Sequence, residues 1–382
     1  MITAYTEEID EAADGIAELL GQIDLGALKK NSVGIVTCHR DFARSDFVGE
    51  LHKRLPFSVI GMTTMTSANP RGQGMYSLSL SVLTSDELVF ETAVTKSLSA
   101  DDYAKEIEAA YSEAAGRLPG DPSLIVTLFP LLKNPNSAEI HKCLDEVCGG
   151  IPIWGGVATH TDTSYNHCRV LRDGGYEREG MAMLLIHGPI DPEFVVVSLP
   201  LQNIHKTQGE VTSSDGCVLK EINRLPAVKY LETLGIVIME NAPMTTPLMI
   251  YYEGTPEPVA LAIYAVNGDG SVSCGGEIPM GASVAVGEIT AGSVMASAGE
   301  AMDRVLGCGK RGALMVLPCV SRYMMLGDNP EDEIDLIAGK VQRGGIMPYM
   351  LAYSGGEICP VRDSEGVPRN RFHNFTFSVC AF

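Results

Sequence analysis

Long apolar runs, basic charge and paired metal-type cysteines are what this sequence has little of. No uninterrupted apolar stretch approaches the roughly 18 to 20 residues that a membrane span needs, so membrane insertion is excluded as an expectation. Lys and Arg number 28 against 48 Asp and Glu, a formal net charge of −20, and the isoelectric point is near 4.8. With no basic stripe to neutralise a phosphate backbone, nucleic acid is excluded as a partner. The first ten residues are acidic where a secretory leader would be basic, and a cytoplasmic location is expected. Ten cysteines occur, but no Cys-x-x-Cys pair does. In a chain without a leader, buried free thiols are the expected state. His160, His167 and Cys168 cluster in sequence without a standard ligand spacing, so no metal is expected. Neither a P-loop nor a Gly-x-Gly-x-x-Gly turn follows a strand. Nucleotide binding has no support, and no motif calls for a cofactor.

What is present is repetition. A buried strand, an amphipathic helix, a second strand, a Gly/Thr-rich loop and a further apolar strand recur three times. The first copy runs through 33–39, a helix over 43–54, 57–60, Gly61-Met62-Thr63-Thr64 and 74–82. In the second come 124–129, a helix over 137–148, 151–154, Gly155-Gly156-Val157-Ala158 and 180–186. The third has 312–318, a helix over 331–343, 346–353, Ser354-Gly355-Gly356-Glu357 and 374–379. Each copy places small polar residues just past a strand's C-terminal end, where open α/β sheets bind ligands.

Longer helices are expected before each copy, over 8–20, 100–117 and 292–306, the last two preceded by strands at 88–95 and 283–289. Ser85-Asp86 and Asp173-Gly174-Gly175 read as hairpin turns, and Asn267 to Gly270 as another. Continuously apolar strands such as 124–129 suit burial on both faces, whereas 77–82 alternates. The expected core includes Ile35, Val36, Leu124, Val126, Leu184, Leu314, Val316 and Val379. Between the second and third copies lies different material: the segments 208–213 and 216–222, a helix opened by Pro226 and closed by Gly235, then 243–250, a Gly/Pro-containing stretch, and strands at 259–266 and 271–277. The expected fold class is α/β (mixed α+β), with layered mixed sheets and helices, a repeated module and two domains. At 382 residues each domain can bury its own core.

The order of Gly61-Met62-Thr63-Thr64, Gly155-Gly156-Val157-Ala158, the block from Val211 through Glu221, Pro226 and Tyr230, Ile278-Pro279-Met280-Gly281, Cys319-x-x-Arg322 with Leu326-Gly327, Gly356-Glu357-Ile358-x-Pro360 and the closing His373-Asn374-x-Thr376 resembles FIST proteins. The resemblance runs from about residue 32 to the C-terminus. It implies an N-terminal helix (1–31) packed on the first domain, a FIST N-terminal domain over 32–230 and a FIST C domain over 231–382. It further implies an intracellular small-ligand sensor, with amino acids as suggested ligands. This chain carries no effector of its own, so output would pass to a separate signalling protein; a homo-oligomer is compatible with the sequence.

Arg322 and Glu357, each just past a strand of the third copy, are the first candidates for reading an anion and an ammonium. The alternative is an internal bridge between Arg322 and Glu357 or Asp328. Gly356 would allow close approach and Asn374 can donate and accept, although a local capping role is the simpler reading of Asn374. Thr63, Thr64, Gly155, Gly156, Thr159 and Asp162 could line a second pocket. Two other readings stay open. One is an enzyme with Cys319 as nucleophile, Arg322 lowering its pKa and His373 as base; the other is a scaffold without ligand.

Overall fold

The structure, a computed structural model, describes residues 1–99, 101–132, 134–161, 166–238, 246–255, 257–309, 312–345 and 348–382. Asp162 and the expected starts of segments at Ala100, Pro243 and Ile346 lie outside the described residues.

The first module comprises β1 (Ile2–Thr6), α1 (Ala12–Gly21), β2 (Asn31–Cys38), α2 (Arg40–Arg44), α3 (Phe47–His52), β3 (Val59–Thr63), the hairpin β4 (Ser67–Asn69) and β5 (Gly72–Gly74), and β6 (Leu78–Ser85). The second repeats that order: β7 (Val89–Val94), α4 (Tyr103–Ala115), β8 (Leu124–Pro130), α5 (Ser137–Cys148), β9 (Ile153–Ala158), the hairpin β10 (Val170–Arg172) and β11 (Gly175–Glu177), and β12 (Ala182–His187). The third opens with β13 (Glu193–Val197) and is then interrupted. The interruption carries β14 (Gly209–Asp215), β15 (Val218–Ile222), β16 (Leu225–Pro226), α6 (Ala227–Thr233), β17 (Pro247–Tyr251), β18 (Val259–Val266), β19 (Val272–Cys274) and β20 (Ser283–Val286). The module resumes with α7 (Ala291–Gly307), β21 (Leu314–Pro318), α8 (Val320–Met325), α9 (Asp332–Arg343), β22 (Tyr349–Ala352), the hairpin β23 (Glu357–Arg362) and β24 (Pro368–His373), and β25 (Phe377–Ala381).

Sheet pairing closes the three modules into a ring. Each gives four strands to its own sheet and lends its hairpin to a neighbour's. The sheets are β1-β6-β2-β3-β10-β11, β7-β12-β8-β9-β23-β24 and β13-β25-β21-β22-β4-β5. Within each, one central pair is parallel, β2 with β3, β8 with β9 and β21 with β22. Period-two alternation then sorts the side chains. Ile35, Leu124, Val126, Leu128, Met315 and Leu317 point into one inner core shared by all three sheets. Their neighbours Val36, Ile125, Leu314 and Val316 face the outer helices instead. Trp154, the single tryptophan, is fully buried in the inner core and donates from Nε1 to Ser378 Oγ at 3.0 Å. The eight expected core residues are all buried.

The third module corrects one expectation. Residues 283–289 do not open it; β20 belongs to the inserted seven-stranded sheet β14-β20-β17-β18-β19-β15-β16, and Glu193–Val197 takes the opening place against β25. Ser85-Asp86 is likewise not a hairpin, because β6 pairs with β1 and β2 while β7 pairs with β12. Residues 1–31 supply a strand as well as a helix, and the helix expected over 43–54 is broken where Ser45 is extended. The boundary placed near residue 230 passes through the inserted sheet, since β14 pairs with β20 and β15 with β19 across it.

Candidate functional site

Arg322, on α8, is fully buried and internally compensated. Its Nε and Nη2 donate to Glu333 Oε1 at 3.0 and 2.6 Å, Nη2 also to the Val294 carbonyl at 2.8 Å, and Nη1 to the Phe375 carbonyl at 3.3 Å. Glu333 lies in the first turn of α9, where a negative charge suits the helix dipole. Its other oxygen accepts from Tyr353 OH at 2.7 Å. The internal partner of Arg322 is therefore Glu333, neither Glu357 nor Asp328.

Glu357 is buried on its own network, accepting from Ser354 Oγ and from Thr376 Oγ1 at 2.6 Å. Burial pushes its pKa up to about 8, only partly opposed by those hydroxyls and the nearby Arg322 charge. The same burial, with Glu357 beside it, pushes the Cys319 thiol up to about 12. That is the reverse of an activated nucleophile. His373 Nε2 is held by the Cys359 carbonyl at 3.1 Å, and burial lowers its pKa to about 4. Asn374 clips the inserted sheet to the third module rather than capping locally: Ala262 N donates to its Oδ1 at 3.0 Å, and its N donates to the Ala260 carbonyl at 2.8 Å.

The Thr-rich loops meet one another at the centre of the ring. Thr64 Oγ1 and Thr159 Oγ1 both donate to the Tyr353 carbonyl, at 2.8 and 2.9 Å, and Met65 N donates to Thr159 Oγ1 at 3.0 Å. Thr63 Oγ1 accepts from Arg169 N at 2.9 Å. Gly155 is required by close approach, since a Cβ there would stand 1.8 Å from the Thr127 carbonyl oxygen; at Gly156 it would stand 2.9 Å from Ser354 Cβ. Gly356 has φ 149°, and a Cβ would meet Phe372 at 2.4 Å. These residues weld the modules together.

A different region is built around empty space. A cavity of about 780 Å³ opens between the second module and the inserted sheet, lined by 130–132, Asn136, Ser137, Cys168, Arg169, Arg178 and Glu179, and across from them by Cys217, Val218, Tyr264 and Ser273. Its size falls in the ordinary range for small-molecule sites. The N-terminus of α5 abuts it. Asn136 Oδ1 accepts from Ala138 N and Glu139 N at 3.0 and 3.1 Å, and Glu139 returns the bond to Asn136 N. This capping box leaves Ser137 as the first helical residue, and its buried Oγ has no partner. Arg169 is 6% exposed. Its Nη1 donates to the Cys168 and Asn166 carbonyls at 2.6 and 3.3 Å, its guanidinium lies 5.6 Å from the Tyr176 ring, and its Nε has no partner. Burial and the neighbouring Arg178 charge lower its pKa. A buried cation and a buried hydroxyl, both with unused donors, thus line one cavity.

None of the residues chosen from sequence lines it. The available signal was Arg169 itself, a cation entering the apolar run Val170-Leu171. His160 and His167, in the sequence cluster with Cys168, stand with ring centroids 5.9 Å apart; among the described residues no group of three or more His, Cys, Asp or Glu converges as a metal site. No helix among the described residues is long and apolar enough to cross a membrane.

Comparison with known proteins bears on the whole chain. The FIST N domain model matches residues 32–224 and the FIST C domain model residues 226–360. A search of curated proteins found no match. Among solved structures, a cyanuric acid hydrolase from A. caulinodans is similar at 11% identity with a TM-score of 0.32, over 100% of this chain and 98% of that one. A second cyanuric acid hydrolase structure gives 10% identity and a TM-score of 0.34, over 100% and 98%.

Proposed function

The chain belongs to the FIST family, whose domains serve sensory and signal-transduction roles, and on that premise we propose that it is a cytoplasmic sensor that binds a small molecule and reports occupancy to a separate signalling protein. The cavity beside Arg169 carries this reading. Its wall is assembled from the loop before α5, the segment around β10 and β11, and the inserted sheet, so one ligand would bridge parts of the chain that are otherwise remote. Bridging raises stability by RT ln(1 + [L]/Kd) for a ligand held only by the folded protein, and fixes how the inserted sheet sits against the second module. That fixed position is the signal a partner reads.

A thermal-shift screen of the purified chain against neutral, cationic and anionic metabolites tests the reading. Ala265 lines the cavity and is exposed, so Ala265→Trp fills the space without disturbing the core. The expected result is a saturable rise for one class that Ala265→Trp removes. A response unchanged in Ala265→Trp, or no response from any class, contradicts the proposal.

A further inference from the structure

Two buried donors without partners, a second cation and an apolar wall are enough to ask what chemistry the cavity selects. We infer that its ligand is an organic carboxylate with an apolar body and no ammonium group, anchored by Arg169 and Ser137. The inference rests on the sensor reading above and deepens it.

Arg169 and Ser137 both line this space, and Arg169 Nε and Ser137 Oγ, themselves buried, lack a partner. A buried donor left unmade is costly, the more so when charged, so an occupant that accepts from both is favoured. Among the described residues lining the cavity these are the two unused buried donors, a number that suits the two oxygens of a carboxylate better than the three of a phosphate. The charge agrees. Arg178 lies close enough to depress Arg169, and among the described residues neither arginine forms an ion pair. The N-terminal end of the twelve-residue α5 adds a positive dipole end to the same wall.

An ammonium has no comparable place. Among the described residues the one carboxylate in the wall is Glu179, which is exposed and already accepts from Ser97 Oγ at 2.6 Å. Asn136 Oδ1 is occupied by the two α5 amides. A positive group would thus enter beside two arginines without a buried acceptor, which like-charge repulsion disfavours. The remaining wall, with Leu131, Leu132, Val218 and Tyr264, suits an aliphatic or aromatic body.

The test compares phenylacetate, phenylacetamide and phenylglycine, with octanoate as an aliphatic acid, by calorimetric titration of the full chain. Phenylacetate or octanoate is expected to bind on the order of tenfold or more tighter than the amide, the scale of one charged hydrogen bond, and phenylglycine to bind more weakly than phenylacetate. Ser137→Ala removes a hydroxyl that has no partner in the fold, so it is expected to weaken the acid about tenfold while leaving the melting temperature unchanged. Arg169→Lys keeps the charge but loses the Nε donor, and is expected to weaken it similarly. Equal affinity for the amide, tighter binding of phenylglycine, no binding of either acid at millimolar concentration, or acid binding indifferent to both substitutions overturns the inference. If a neutral or cationic compound binds and Ala265→Trp blocks it, the sensor reading stands while the carboxylate assignment falls.

Discussion

Two buried arginines divide this molecule. Arg322 is wrapped by Glu333, two backbone carbonyls and the face of Phe377, whose ring centre lies 5.5 Å from the guanidinium. Arg169 is nearly as buried but has only carbonyls and a tyrosine ring for company, an unused Nε, and a cavity beside it. Taking a cation out of water is costly wherever it happens, and only an anion in good geometry offsets it. At Arg322 the anion is part of the chain. At Arg169 no such anion stands among the described residues, and a ligand is proposed to supply it. A permanently charged fork at a strand end therefore points to a ligand only when its countercharge is missing.

The sharpest way to break the comparison is to remove each charge. Arg322→Met leaves Glu333 buried without its partner and is expected to destabilise the fold by about 3–5 kcal/mol. Adding Glu333→Gln should recover part of that loss, measured by denaturant unfolding. A cost below about 1 kcal/mol would mean that the pair is not the structural tie it is taken to be.

Glu357 extends the comparison to a buried acid held by hydroxyls. A carboxyl whose folded pKa is about 8 rather than the ordinary 4.5 binds its proton more tightly in the folded state. The stability it contributes is present below pH 4.5 and is lost as pH rises towards 8, at up to about 1.4 kcal/mol per pH unit. His141 and His373, both lowered to about 4, act in the opposite direction and destabilise as pH falls from 6.5 towards 4. Stability is thus expected to peak near pH 6.5 and to decline by pH 8. Glu357→Gln should flatten the alkaline limb and steepen the rise between pH 4.5 and 6.5, where the Glu357 titration opposes that of the two histidines. An alkaline decline identical in the variant would contradict this assignment.

Arg169→Met comes next in size. It removes a buried cation that no carboxylate among the described residues compensates, so its unfolding free energy should stay within about 1 kcal/mol of the parent while carboxylate binding is lost. The smallest expected effect is Arg178→Ala. This residue is exposed at the cavity rim, so affinity should fall only a few-fold and the dependence on salt should weaken. An effect larger than that of Arg169→Met would reverse the roles of the two arginines.

The sequence made the parts legible more readily than their arrangement. Strands β8 and β21 announced themselves as apolar runs, and α5 as an amphipathic helix over 137–148, because these signals are local. The exchange of hairpins between modules was illegible, because strand pairing across modules leaves no local trace. β13 was missed because an inserted sheet separates it from the rest of its module, and β1 because the segment 1–31 was read as an N-terminal helix. At the site, Arg322 looked open until α9 brought Glu333 back to it eleven residues later. Arg169 passed unnoticed because its distinction is a missing partner, and a missing partner is visible only once every neighbour has been placed.

The most direct measurement is the carboxylate-induced shift in melting temperature for the parent, Arg169→Met and Arg322→Lys at one phenylacetate concentration. A saturable shift is expected in the parent, none in Arg169→Met despite its near-normal stability, and a retained shift in Arg322→Lys despite its lower melting temperature. A shift that survives Arg169→Met and vanishes in Arg322→Lys would contradict this, and would return the ligand to the third module.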